Sequence, residues 1–114
     1  MLTLEFLKQF GADVEDGLSR CINDEGFYME LIDMTLDDES FGALSDAIRA
    51  DDRQAAFRAA HGLKGITANV SLTPLYKELS ELTELLRANK EADYTGYLDR
   101  ILQMRDTLLA ARNG

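Results

Sequence analysis

Apolar residues recur every three or four positions along most of this chain, and no run alternates them with polar ones in the manner of a strand, so the pattern predicts helices alone. The fold class is all-α. A short helix is expected from Thr3 to Phe10, with Leu4, Leu7 and Phe10 on one side and the "GAD" turn at Gly11 as its end. A less regular short segment reaches on to Arg20. From Asn23, read as a cap, Phe27, Tyr28, Leu31, Met34 and Thr35 keep helical spacing as far as "DDES". Asp37, Asp38 and Ser40 suit a new cap, and Phe41, Leu44, Ala47 and Ile48 restart the stripe, which makes two helices here or one long kinked one.

Sharper boundaries follow. "DDRQ" sets Asp51 three residues before Gln54, as in a capping box, and opens a helix running from about Asp52 to Val70. Its Ala56, Ala59, Ala60, Leu63, Thr67 and Val70 form a stripe of mostly small residues that lets neighbouring helices approach closely. In "SLTPLYKEL", Thr73 takes the N-cap and Pro74 the first helical position, followed by Leu75, Leu79, Leu82 and Leu86 on one face. The last helix carries Tyr94, Tyr97, Leu98, Ile101, Met104, Leu108 and Leu109. Short connections make successive helices antiparallel neighbours. The expected architecture is an up-and-down antiparallel four-helix bundle with an additional short N-terminal helix, one domain over residues 1–114.

Composition narrows the function. With 114 residues, 46% apolar and 29% charged, the chain suits one domain around one core rather than a two-domain enzyme. No apolar run approaches the roughly 18 residues that span a bilayer, and "MLTLEFLKQF" lacks the basic-then-apolar pattern of a secretory signal. One cysteine, Cys21, cannot form an intramolecular disulfide and is expected to pack as a small apolar residue, which fits a reducing, cytoplasmic setting. A formal charge of −9, from 21 acids against 12 bases, argues against binding nucleic acid. The expected partners are proteins, and the expected state is a monomer.

The chemistry concentrates in "AAHGLKGITANV", residues 59–70, where Gly62 and Gly65 lie within four positions of the only histidine, His61. Each interior glycine costs a helix roughly 1 kcal/mol relative to alanine, so something else must offset both. At about 100° per residue, Lys64 falls a turn beyond His61 and about 60° to one side, while Gly65 falls about 40° to the other. An imidazole and an ammonium therefore reach the same spot beside bare backbone, an arrangement suited to a reactive group that must meet another protein. Arg58, one turn earlier, adds to the positive field. Gly65, Gly62, Arg58, Phe57 and Ala68 make up the expected docking surface. A lone histidine on a helix is ordinarily just solvated, and it is the flanking residues that weigh against that reading here. One histidine and one distant cysteine supply no zinc ligand set.

"AHGLKG", extended to "AHGLKGITANVSLTPL", resembles the signature of the histidine phosphotransfer (HPt) domain family, in which A-H-x-L-K-G lies on the second long helix of a four-helix bundle. The resemblance continues through Asn69, Leu75 and the amphipathic helix beyond. It implies that His61 accepts a phosphoryl group, through Nε2, from an aspartyl-phosphate on a response-regulator receiver domain and passes it to another receiver. It implies also that Lys64 stabilises the charge of the transition state and that a hybrid sensor histidine kinase stands upstream. Ser71 departs from the family, which often has glycine there, and Gly62 occupies a position usually filled by a larger residue. No Gly-rich phosphate loop and no Mg²⁺-binding acid cluster is visible, so the domain is not expected to be a kinase, to carry an intrinsic cofactor or to act as an independent enzyme. Mg²⁺ is expected on the receiver. Two other readings compete: a degenerate bundle that binds a regulator without chemistry, and the dimerisation and phosphoacceptor part of a sensor kinase, disfavoured because Gly62 rather than an acid follows the histidine.

Overall fold

Each stretch of helical spacing folds as a helix, and the computed structural model, which describes residues 1–114, contains no strand. The helices are α1 (Leu4–Phe10), α2 (Val14–Arg20), α3 (Glu25–Leu36), α4 (Ser40–Arg49), α5 (Arg53–Asn69), α6 (Thr73–Arg87) and α7 (Tyr94–Asn113). The last four form the bundle: α5 packs between α4 and α6, and α7 closes the ring against α4 and α6. The joints at residues 50–52, 70–72 and 88–93 are too short for the chain to return along the bundle, so consecutive helices run antiparallel. No helix is long and apolar enough to cross a membrane.

The N-terminal addition is larger than the pattern indicated. Instead of one short helix it comprises α1, α2 and α3, with α1 against α2, α2 against α3 and α3 against α7. The segment up to Arg20 is α2, and "DDES" separates two distinct helices. One apolar core of 24 buried residues runs through both layers, with Cys21 buried in it as a free thiol. Phe27 and Met34, assigned to the apolar stripe of α3, are 44% and 63% exposed, whereas Tyr28, Ile32, Thr35 and Leu36 are buried. Two apolar rows lie side by side on α3, and packing against α2 and α7 alone covers only one of them.

Three caps stand one residue away from their expected positions, for a shared reason. Asn23, Asp51 and Ser71 close the preceding turns in the left-handed region, at φ 58°, 53° and 56°, which leaves the following residue to start the helix. Asp24 and Asp52, rather than Asn23 and Asp51, are the N-caps, and their carboxylates accept from the Phe27 and Ala55 N–H groups. Leu72 stands at the N-cap of α6, so Thr73 is its first residue and Pro74 its second. The left-handed φ of Ser71 supplies a reason for glycine at that position. Here Ser71 is tied in place: its hydroxyl donates to Asp16 Oδ2 at 2.6 Å, and its carbonyl accepts from Asp13 N–H at 3.0 Å.

The N-terminal layer thus clamps the α5–α6 turn, and Tyr28 adds a third tie by donating its buried hydroxyl to the Val70 carbonyl at 2.8 Å. Gly17 admits that ring. A Cβ at position 17 would stand 2.5 Å from Tyr28 Cε1, which cannot yield without losing the Val70 bond. Gly17→Ala is expected to destabilise the protein by about 1–3 kcal/mol, as overpacked cores do, with a lowered urea midpoint as the measurement.

Acid should loosen the same layer. The Ser71 hydroxyl, helped by Arg20, holds the Asp16 carboxyl below its ordinary 3.8, and Arg112, bonded bidentately to Asp37, does the same there. A depressed carboxyl contributes stability that is fully present above its unfolded value and is lost as pH falls through the folded one. Asp37→Asn is therefore expected to melt below wild type at neutral pH, with the difference closing once the pH drops well under 3.8. Paired melts across that range check the sign.

Candidate functional site

α5 presents two opposed surfaces. Ala56, Ala60, Leu63 and Thr67 are buried against its neighbours, and the Thr67 hydroxyl donates inward to the Leu63 and Lys64 carbonyls at 2.8 and 3.1 Å. His61, Gly62, Gly65 and Arg58 are exposed on the other side, with Lys64 half-buried beside them. The small-residue stripe thus turns the imidazole away from the core. A Cβ built at Gly62 or Gly65 would meet nothing within 4 Å, so neither glycine serves internal packing.

The electrostatics of this helix oppose those of the whole chain. Within a protein of charge −9, α5 contains Arg53, Arg58 and Lys64 and no aspartate or glutamate. Arg53 pairs with Glu91 at 2.8 Å, but Arg58 and Lys64 enter no ion pair. Both free cations lie within one turn of His61 and are available to an incoming anion.

Aromatic packing orders the site from below. The Phe57 and His61 rings lie stacked, 5.6 Å between centroids and 9° from parallel, and the Arg87 guanidinium of α6 sits 5.3 Å from the Phe57 ring centre. Phe57 and Arg58 also line a cleft of about 620 Å³ with Arg53, Gln54, Leu86 and Arg87. Ala68, farther along α5, lines a separate cleft near the N-terminal layer, with Asp13, Asp16, Arg20 and Ser71 among its walls. The structure therefore gathers Phe57, Arg58, Gly62, Lys64 and Gly65 within about one turn of the exposed His61 imidazole, with Ala68 two turns beyond it on the same side of α5. No group of three or more histidine, cysteine or acidic side chains is arranged to hold a metal ion.

A family model, the Hpt domain, matches residues 30–114, a span that begins within α3 and takes in all of α4–α7 and the whole site. The chain belongs to the Hpt domain family. Membership carries a role in histidine phosphotransfer, the chemistry of domains that work with receivers in phosphorelays. Neither the curated proteins nor the solved structures gave a match. The helices α1 and α2 lie outside the matched span of this Hpt domain. The site residue that the sequence reading did not name is Arg87, brought over Phe57 by the antiparallel pairing of α5 and α6. The two residues flank the Ser71 turn at comparable distances along the chain, a symmetry that the sequence does contain once the hairpin is assumed.

Proposed function

We propose that this Hpt domain is a phosphoryl carrier in which His61 takes a phosphoryl group from the aspartyl-phosphate of one receiver domain and delivers it to another, with a hybrid sensor histidine kinase upstream. The carrying observation is an exposed imidazole on an acid-free helix face, flanked by the unpaired Lys64 and Arg58 and by bare backbone at Gly62 and Gly65. In the transfer, a ring-nitrogen lone pair of the neutral imidazole attacks phosphorus in line. The N–P bond forms as the P–O bond to the aspartyl carboxylate breaks, and the carboxylate leaves with the electron pair. The receiver brings the aspartate and its Mg²⁺. Negative charge spreads over the equatorial oxygens of the loose transition state, where the Lys64 ammonium meets it. The reverse step returns the group to a second receiver without input of energy. A monomer suffices for this role, because each step needs one imidazole and one aspartate.

Incubation with radiolabelled phospho-receivers from the same source tests the reading. A label that is lost in acid, survives alkali and maps to His61 supports it; receiver binding with no label on the domain would make the protein a docking module instead. If the Lys64 charge serves mainly the transition state, Lys64→Ala should slow transfer about ten-fold or more, some 1.4 kcal/mol of barrier, with a smaller change in receiver affinity. Equal losses in rate and affinity would assign Lys64 to docking.

A further inference from the structure

An imidazole on a helix surface has two accessible χ1 rotamers and a freely turning χ2, so most of its orientations point the nitrogens away from any one incoming phosphorus. Here the ring is not free. It lies parallel to the ring of Phe57, the residue one turn earlier on the same row of α5, with 5.6 Å between centroids, and Phe57 is itself engaged by Arg87, which Glu84 holds at 3.5 Å. The direction of the contact matters. Nitrogen lone pairs and N–H bonds lie in the plane of the ring, so a parallel, offset stack borders a face, which takes no part in attack, and constrains the plane in which the nitrogens point. On the far side of the row stands Gly65, with nothing within 4 Å of where its Cβ would be. The imidazole therefore has a wall on one side and open ground on the other.

We propose that Phe57 is a positioning residue for His61: its ring, gripped by Arg87 from the neighbouring helix, holds the imidazole in one orientation and constrains the plane in which its nitrogens point. This deepens the phosphocarrier reading and rests on it. The cost of aligning acceptor and phosphorus is then met largely before the receiver docks, and α6 sets the geometry of a group carried by α5.

Side-chain NMR of the full chain tests the orientation without any phosphotransfer. In the wild type, the His61 ring protons should be displaced from exposed-histidine values by the Phe57 ring current, and the χ1 couplings should report one rotamer. Phe57→Leu should move the shifts to exposed-histidine values and average the couplings, while Phe57→Tyr keeps both. Arg87→Leu, which leaves α5 unchanged, should weaken both signals; full-strength signals in that variant would overturn the clamp. Averaged couplings in the wild type, or unchanged signals in Phe57→Leu, would overturn the proposal itself.

Kinetics supply the second arm. Transfer from a phosphorylated receiver to Phe57→Leu should slow about five- to ten-fold through kcat, with KM little altered. Phosphoramidate, a small donor free to approach from any direction, should label the same variant within about two-fold of the wild-type rate. Equal slowing with both donors would make Phe57 a determinant of imidazole reactivity rather than of its orientation, and would refute the inference. A wild type that neither donor labels would defeat the phosphocarrier reading, while the NMR signals still decide the orientation of the ring.

Discussion

His61→Gln is expected to take up no phosphoryl group from any receiver and yet to melt within about 0.5 kcal/mol of the wild type, as substitutions on an exposed surface do. The two halves of that result have different origins. An amide nitrogen has its lone pair delocalised into the carbonyl, so glutamine fills the space of the imidazole and offers phosphorus no nucleophile. Stability is spared because the side chain is exposed and glutamine is a good helix former. The stack on Phe57 is lost, and that contact is the only part of the fold the substitution removes by design. Intact mass after incubation with a phospho-receiver, together with a thermal melt, measures both. A variant that still gains the mass of a phosphoryl group would move the acceptor to another residue.

The site was legible because it is local. His61, Lys64 and Gly65 sit on one helix, and the angle between any two of them follows from their spacing alone once the helix is granted. The same holds for the buried row of Ala56, Ala60, Leu63 and Thr67, which fixes by exclusion which face meets solvent. Arg87 was not legible in this way. Its contact with Phe57 depends on how α5 and α6 pair across the Ser71 turn, and no spacing within one helix encodes that.

The helix ends show a subtler limit. Asp51 and Asp52 are both good caps by chemistry, and the choice between them falls to the left-handed turn at Asp51, a conformation imposed by the tight joint between α4 and α5. Likewise, Phe27 and Tyr28 head adjacent apolar rows of α3. The Val70 carbonyl, which accepts from the Tyr28 hydroxyl, and the gap left by Gly17 favour the Tyr28 row, and both partners are distant in sequence or on another helix.

Gly65→Leu is expected to stabilise the isolated domain and to cripple it as a carrier. The gain follows from helix propensity: an interior glycine replaced by leucine recovers up to about 1 kcal/mol, and the new side chain enters open space rather than a packed neighbour. The loss follows from direction. Helical Cα–Cβ bonds tilt toward the N-terminus, so a side chain at position 65 leans back over the preceding turn, which is the turn that carries His61. Phe57 already occupies the other side of the imidazole, and a leucine would close the remaining approach. A misplacement of about 1 Å can cost on the order of 100-fold in rate, and that is the loss expected for transfer from a receiver. Phosphoramidate, being small, should be hindered far less. Gly62→Ala, whose new methyl group also meets nothing, should match the gain in stability with only a slight loss of rate, because position 62 lies about 100° round the helix from His61. Melts and transfer rates that rise and fall in opposite directions for Gly65→Leu would show a helix weakened where its partner must come close. A lowered melting temperature with an unchanged rate would return the glycine to a packing role and leave the open ground beside His61 without a function.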